Sequence, residues 1–105
     1  MDGRSEASVK HRELVIPPIA AADPEACELV RVWAAEGSQH VSIAADAWED
    51  PAIWGIALVD LARHISRAYE QMGKGEAAAM LDRIREGFDA EWNHATDLPK
   101  GSIEQ

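Results

Sequence analysis

Asp60 and His64 stand four residues apart, the spacing that places two side chains on one face of a helix. A carboxylate that orients a histidine is half of many general acid–base sites, and this pair also has the spacing of two metal ligands. Either site would need further groups, for which the candidates are His94, Glu70 and Asp89. The simpler interpretation is a surface contact of Asp60 with His64 or with Arg63.

Trp33 and His40 form a second candidate pair, because they lie opposite each other in a predicted β-hairpin. Such a pair can stack against a nucleobase or another aromatic ligand. It can equally stabilise the hairpin across its strands, or belong to a protein interface, where tryptophan is enriched. The ligand-binding candidates of the chain are therefore Trp33, His40, Asp60 and His64.

Four tryptophans are a high number for 105 residues. Trp48, Trp54 and Trp92 fall at a helix start or in an apolar helical stripe, so the first interpretation is core packing. Alternatively, Trp48 and Trp54 gather with Trp33 into an exposed patch. An exposed apolar patch on a small protein usually marks a surface that binds a partner.

Cys27 is the single cysteine, which excludes an internal disulfide and a four-cysteine metal site. The neighbouring carboxylates of Glu25 and Glu28 disfavour a reactive thiolate, so we expect a buried or an inert cysteine. The sequence also has no glycine-rich phosphate loop, no Gly-x-Ser-x-Gly, no zinc-protease helix and no calcium loop. We therefore assign no catalytic residue, no metal ligand and no cofactor.

Composition limits the class of protein further. The 105 residues include 19 acidic and 10 basic side chains, and 47% of them are hydrophobic, which is typical of one folded domain. The net charge of −9 argues against binding to duplex nucleic acid or to an anionic membrane. Without a signal peptide or a membrane-spanning segment, and with one cysteine, we expect a cytoplasmic protein.

Residues 28–45 show the pattern of a β-hairpin, with Gly37 at a turn that requires positive φ. A two-residue turn over Glu36 and Gly37 predicts two sheet faces. One face is apolar and consists of Val30, Val32, Val41 and Ile43. The other face holds the cross-strand pairs Trp33–His40, Leu29–Ala44 and Arg31–Ser42.

The segment before the hairpin is less regular. Residues 13–17 are β-prone and end at two prolines, which predicts an edge strand or an extended arm. Asp23-Pro24-Glu25 has the composition of a helix start. We expect a flexible tail over residues 1–12, a single domain over 13–96 and a second flexible tail over 97–105.

Two helices are predicted after the hairpin, over about 51–72 and about 76–95. Asp50 and Pro51 are typical of a helix N-terminus, and Gly73 ends the first helix. A short connector favours an antiparallel pair. The apolar stripe of the first helix includes Trp54, Leu58, Leu61 and Ile65, and that of the second includes Ala77, Leu81, Ile84, Phe88, Trp92 and Ala95.

The stretch from Glu13 to Tyr69 resembles a small bacterial family of domains of unknown function. The motifs that carry the resemblance are Leu14-Val15-Ile16-Pro17, Arg31-Val32-Trp33, His40-Val41-Ser42, Trp48-Glu49-Asp50-Pro51-Ala52-Ile53-Trp54-Gly55, Leu58-Val59-Asp60-Leu61-Ala62-Arg63-His64-Ile65 and Ala68-Tyr69. The resemblance implies one intact fold. It implies no catalytic or binding role for any residue.

These patterns predict an α+β domain in which a small antiparallel sheet packs against two antiparallel helices. We expect the face of Val30, Val32, Val41 and Ile43 to cover the stripe of Trp54, Leu58, Leu61 and Ile65. The Leu29, Trp33 and His40 face, or a strand edge, then favours a homodimer.

Three functions remain open at this point. The first is a non-catalytic interaction domain that self-associates, with a protein partner as a further possibility. The second is a domain that binds a small ligand or a metal. The third is an enzyme that uses Asp60 and His64 as an acid–base pair.

Overall fold

The computed structural model describes residues 11–94 and 101–105 of the chain. The elements follow in the order α1 (Pro18–Ala22), β1 (Val30–Ala35), β2 (Ser38–Ile43), α2 (Ala52–Gln71), α3 (Ala77–Asn93) and β3 (Ile103–Glu104). A small three-stranded sheet and two long helices confirm the predicted α+β class. The two tails are covered only in part, since residues 1–10 and 97–100 lie outside the described residues.

β1 and β2 form the predicted antiparallel hairpin in the predicted register. Val30 pairs with Ile43, Val32 with Val41, and Trp33 with His40. The turn places Glu36 at φ 53° and Gly37 at φ 73°, the two positive angles of a type I′ turn. The turn twists in the same sense as the strands it joins. It therefore fixes the strand register, and the register decides which side chains share a face of the sheet.

The third strand comes from the other end of the chain. β3 pairs in parallel with β2, Val41 opposite Ile103, so the sheet is mixed and has the order β1-β2-β3. β3 belongs to the segment that we predicted as the C-terminal tail. Residues 13–17, where an additional strand was considered, are extended and do not pair with the sheet.

The short helix α1 begins earlier than the sequence pattern predicted. Asp23-Pro24-Glu25 is not a helix start, because the helix already ends at Ala22. Pro18 takes the first helical position, where its fixed φ and missing N–H are tolerated. Pro24 then forces Asp23 into an extended conformation at φ −98° and ψ 111°, which terminates the helix.

Local signals define both ends of α2, the first helix of the helical hairpin that α2 and α3 form. The Asp50 carboxylate accepts a hydrogen bond from the Ala52 N–H at 3.0 Å, as expected for a capping residue. Gly73, at φ 76°, ends α2 in a Schellman motif in which the Lys74 N–H donates to the Tyr69 carbonyl at 2.9 Å. The predicted boundaries are therefore correct to within two residues at these ends.

The expected packing of the sheet against the helices does not occur within the chain. No Cα atom of the sheet lies within 8 Å of a Cα atom in α2 or α3. No hydrophobic side chain among the described residues is buried, and Ser66, at 2% exposure, is the one buried residue there. The radius of gyration is 16.9 Å, against ~13 Å for a compact chain of this length.

We predict that the substitution Glu36→Asn raises the free energy of unfolding by about 0.5 to 1 kcal/mol. Glutamate is strained at positive φ, whereas asparagine tolerates this conformation and favours the type I′ turn. Urea denaturation followed by circular dichroism measures the change. Glu36→Gln is the matched control, since it removes the charge without relieving the backbone. An equal gain in both variants would contradict the explanation.

Candidate interaction surface

The most open apolar surface of the sheet is the face built by Val30, Val32, Val41 and Ile43, here called the valine face. These side chains share one side because residues alternate along each strand and the register places the two pairs opposite each other. Val32 remains 54% exposed. No charged residue lies on this side of the paired strands, since Ala34 and Gln39 complete it.

A second apolar surface lies on α2 and is called the α2 stripe: Trp54, Leu58, Leu61 and Ile65. Their spacing of four, three and four residues puts them on one side of the helix. Leu61, at the middle of the stripe, is 49% exposed. Trp54 is half-buried, and its ring meets that of Trp48 edge-on with the centroids 4.9 Å apart.

The apolar stripe of α3 is covered at its start and open at its end. Ala77, Leu81 and Ile84 are half-buried where α3 packs against α2, and on α2 Ala62 is half-buried and Ser66 is buried. Phe88 and Trp92 stack on each other with ring centroids 5.5 Å apart, yet Trp92 is 77% exposed. Ala95, the last predicted residue of the stripe, lies outside the described residues.

The segment before α1 is an apolar arm, Leu14-Val15-Ile16, of which Leu14 is 95% and Val15 is 88% exposed. Its start is attached to β1. The ring of His11 contacts that of Trp33 at 5.9 Å, and the Glu13 carboxylate accepts a hydrogen bond from Arg31 at 3.1 Å. The start of the arm is therefore held against β1, and the rest of the arm is exposed to solvent.

Arg31 is held from two sides. Its guanidinium donates two hydrogen bonds to Glu28, at 3.2 and 3.0 Å, besides the one to Glu13. The hydrogen bonds and the charge of Glu28, and then the charge of Glu13, raise the pKa of Arg31. These ion pairs are exposed to solvent, so their contribution to stability is small.

The face of Leu29, Trp33 and His40, which we considered for the dimer, is partly covered by the chain itself. All three residues are half-buried. Nδ1 of His40 accepts a hydrogen bond from the Ser102 N–H at 3.0 Å and lies 3.0 Å from the Ser102 hydroxyl. Since Nδ1 is the acceptor, the proton of the neutral ring is on Nε2. His40 thus holds the C-terminal segment against the sheet.

The first candidate pair, Asp60 and His64, lies on the exposed surface of α2. Asp60 makes an exposed ion pair with Arg63 at 3.8 Å, which is the simpler interpretation that we considered. The structure does not gather the candidate partners around this pair. Glu70 accepts a hydrogen bond from the Ala77 N–H at 3.1 Å and so caps α3, while Asp89 accepts hydrogen bonds from Arg85.

Among the described residues, the structure does not bring the candidate metal ligands or the candidate nucleophile into a common site. Within residues 11–94 and 101–105, no group of three or more His, Cys, Asp or Glu side chains is placed to hold a metal ion. His94 follows the end of α3. Cys27 is exposed and forms no disulfide, so of the two expected alternatives, buried or inert, the buried one is wrong. Its segment lies between α1 and β1 and is not covered by a helix.

Open depressions lie along the sheet in the described part of the chain, and the two named here do not enclose a ligand-sized cavity. The larger of these, of about 790 Å³, lies where β2 ends, and its lining includes Ile43, Ala44 and Ala45 together with the acidic residues Glu28, Asp46 and Glu104. The smaller, of about 470 Å³, follows the hairpin turn from Val32 to Gln39. None of the helices among the described residues has the length and apolarity needed to cross a membrane.

Three side chains that hold segments of the fold in place were not identified from the sequence: Ser102, Glu13 and Glu70. Ser102 and Glu13 act at long range, and no local pattern signals that they meet His40 and Arg31. Glu70 was considered from the sequence only as a further group for the Asp60–His64 site. The sequence does contain a signal for this capping role. α3 begins only seven residues after Glu70, and the N–H groups of its first turn need hydrogen-bond acceptors.

The fold and its uncovered apolar faces define a small α+β domain. A match to a family model covers residues 13–96, so the chain belongs to the family described as Domain of unknown function (DUF5076). The resemblance drawn from the sequence motifs is thereby confirmed and extends past Tyr69. None of the curated proteins compared with the chain matches it.

A similar solved structure comes from the photosynthetic bacterium Rhodopseudomonas palustrus CGA009. It has a TM-score of 0.67 to this chain at 32% sequence identity. The similarity covers 87% of this chain and 93% of that chain, which is named a "putative pyruvate dehydrogenase".

We predict that His40→Ala loosens the attachment of β3. The variant removes the acceptor of the Ser102 N–H, and loss of one such hydrogen bond, about 1 kcal/mol, corresponds to about fivefold faster local opening. Hydrogen–deuterium exchange of residues 101–105 measures it. His64→Ala, the same change at an exposed histidine of α2, should leave this exchange unaltered. Slow exchange at Ser102 in His40→Ala would refute the assignment.

Proposed function

We propose that the chain is a small, non-catalytic interaction domain of the bacterial cytoplasm that works as a homodimer. The observation that carries the proposal is the uncovered core. Among the described residues no hydrophobic side chain is buried, while both layers of the fold present apolar faces to solvent. A stable domain needs its apolar faces covered by another layer, and a second copy is the partner always present.

The exposed area supports this proposal. The chain has an accessible surface of 9379 Å², whereas a folded monomer of 11.5 kDa exposes about 5,800 Å². The difference exceeds the roughly 800 Å² that each partner buries in a stable interface. The area is therefore sufficient for an obligate dimer, whose interface resembles a domain core.

The charge of the chain is compatible with self-association. Two copies with a net charge of −9 each repel one another at long range. The valine face itself has no charged side chain, and physiological salt screens exposed charges beyond about 8 Å. Repulsion between the acidic surfaces then affects the rate of encounter more than the stability of an apolar contact.

We predict a mass of about 23 kDa, twice 11.5 kDa, in sedimentation and native mass spectrometry of the untagged protein. Because folding and association are coupled in such a dimer, the unfolding midpoint should rise with protein concentration. A tenfold increase adds about 1.4 kcal/mol to the apparent stability. A cooperative monomer whose midpoint is independent of concentration would overturn the homodimer.

The name of the Rhodopseudomonas structure supplies an activity against which the non-catalytic role can be tested. We predict no pyruvate-dependent turnover above a heat-inactivated sample, since no third His, Cys, Asp or Glu joins Asp60 and His64 in the described ranges. An assay of carbon dioxide release from pyruvate, with thiamine diphosphate, magnesium, coenzyme A and NAD supplied, measures it. Turnover that is lost in Asp60→Asn or His64→Ala would overturn the non-catalytic role and support the enzyme alternative.

A further inference from the structure

We infer that two copies of the chain exchange layers, so that the valine face of each sheet packs on the α2 stripe of the other copy. The inference rests on the proposed homodimer and specifies which surfaces meet in it. Each hydrophobic core is then incomplete without the second copy, because its sheet and its helix come from different chains.

The two surfaces fit each other in chemistry and in length. Both consist of aliphatic side chains, with Trp54 added on the helix. Strands of six residues extend about 20 Å at 3.3 Å per residue. The α2 stripe, from Trp54 to Ile65, extends about 17 Å at 1.5 Å per residue. One helix therefore covers most of the length of the strands that carry the valine face.

The segment 44–51 keeps the sheet away from the helix of its own chain. At its start, the Ala44 N–H donates to the Leu29 carbonyl at 2.9 Å, which fixes the segment to the hairpin. Near its end, Trp48 packs edge-on against Trp54 at 4.9 Å, which fixes it to the first turn of α2. Closing the sheet onto its own α2 stripe would require this doubly attached segment to bend back.

Exchange of layers also forms the same sheet–helix contact twice in each dimer. In a dimer with two-fold symmetry, the sheet of the first copy meets the helix of the second, and the sheet of the second meets the helix of the first. Both open faces of both chains are then covered. Packing one valine face directly on the other would leave the two α2 stripes in solvent, with Leu61 still half exposed.

The first test mixes two variants, each of which damages one of the two surfaces. Val32→Glu places a charge in the valine face, and Leu61→Lys places one in the α2 stripe. A homodimer of either variant carries the defect in both contacts, so we expect each variant alone to have the mass of a single chain in native mass spectrometry. At least a tenfold weakening of self-association is expected, because each apolar contact then buries an unpaired charge.

Mixing the two variants should restore dimerisation. In the mixed dimer, one sheet–helix contact consists of two unaltered surfaces, and the other brings a carboxylate against an ammonium group. We expect a heterodimer of unequal chain masses. If wild-type protein is a dimer and the mixture stays monomeric, exchange is overturned while the homodimer stands; if wild-type protein is monomeric, both proposals fail. Two control variants change other faces of β2 and α2 and should retain the wild-type mass: Ser42→Glu and Arg67→Glu.

Crosslinking provides a second readout that does not depend on damaging the fold. In a Cys27→Ser background, which removes the exposed native thiol, Val32→Cys and Leu61→Cys are introduced into separate chains and treated with a short bismaleimide. Exchange predicts a covalent product only when the two variants are mixed. Crosslinking of Val32→Cys chains with themselves would show that the valine faces meet each other, and would overturn the exchange.

Discussion

The need to cover apolar surface dominates this structure. A sheet and a helical hairpin each form from local contacts, and each leaves an apolar side open because the two do not meet within one chain. Hydrophobic burial is the main favourable term in folding, at about 25 cal/mol per Å² of apolar surface. Residues such as Val32 and Leu61 contribute little of this favourable free energy until another surface covers them. The shape of the chain, the proposed homodimer and the exchange of layers all depend on this condition.

Residue-level patterns predicted the elements well, because the interactions that define them are short in sequence. The turn at Gly37 and the alternation of Val30 and Val32 determined the hairpin register, including the Trp33–His40 pair. The caps at Asp50 and Gly73 defined the ends of α2. Each of these signals acts over a few residues, where backbone geometry leaves few alternatives.

The arrangement of the elements was not predictable in the same way. An apolar face indicates that something covers it, and a single sequence does not say whether the cover is the same chain or another copy. For that reason the expected contact of the valine face with its own α2 stripe was wrong. Asp60 and His64 show the corresponding limit for sites. Helical spacing aligned the two side chains, but no third group joins them among the residues that the structure describes. Ser102 meets His40 across 62 positions of sequence, without any local signal.

The apolar arm has a further consequence, which concerns aggregation. Leu14-Val15-Ile16 is a β-prone run that is fully open to solvent, the kind of segment that pairs with identical segments of other molecules. Ordered β-stacking needs about six or seven suitable residues without proline. Here Glu13 precedes the run, and Pro17 and Pro18 follow it, which removes two backbone donors and ends the strand after three apolar residues. The prolines that shape the start of α1 therefore also keep an exposed hydrophobic segment from propagating as a fibre.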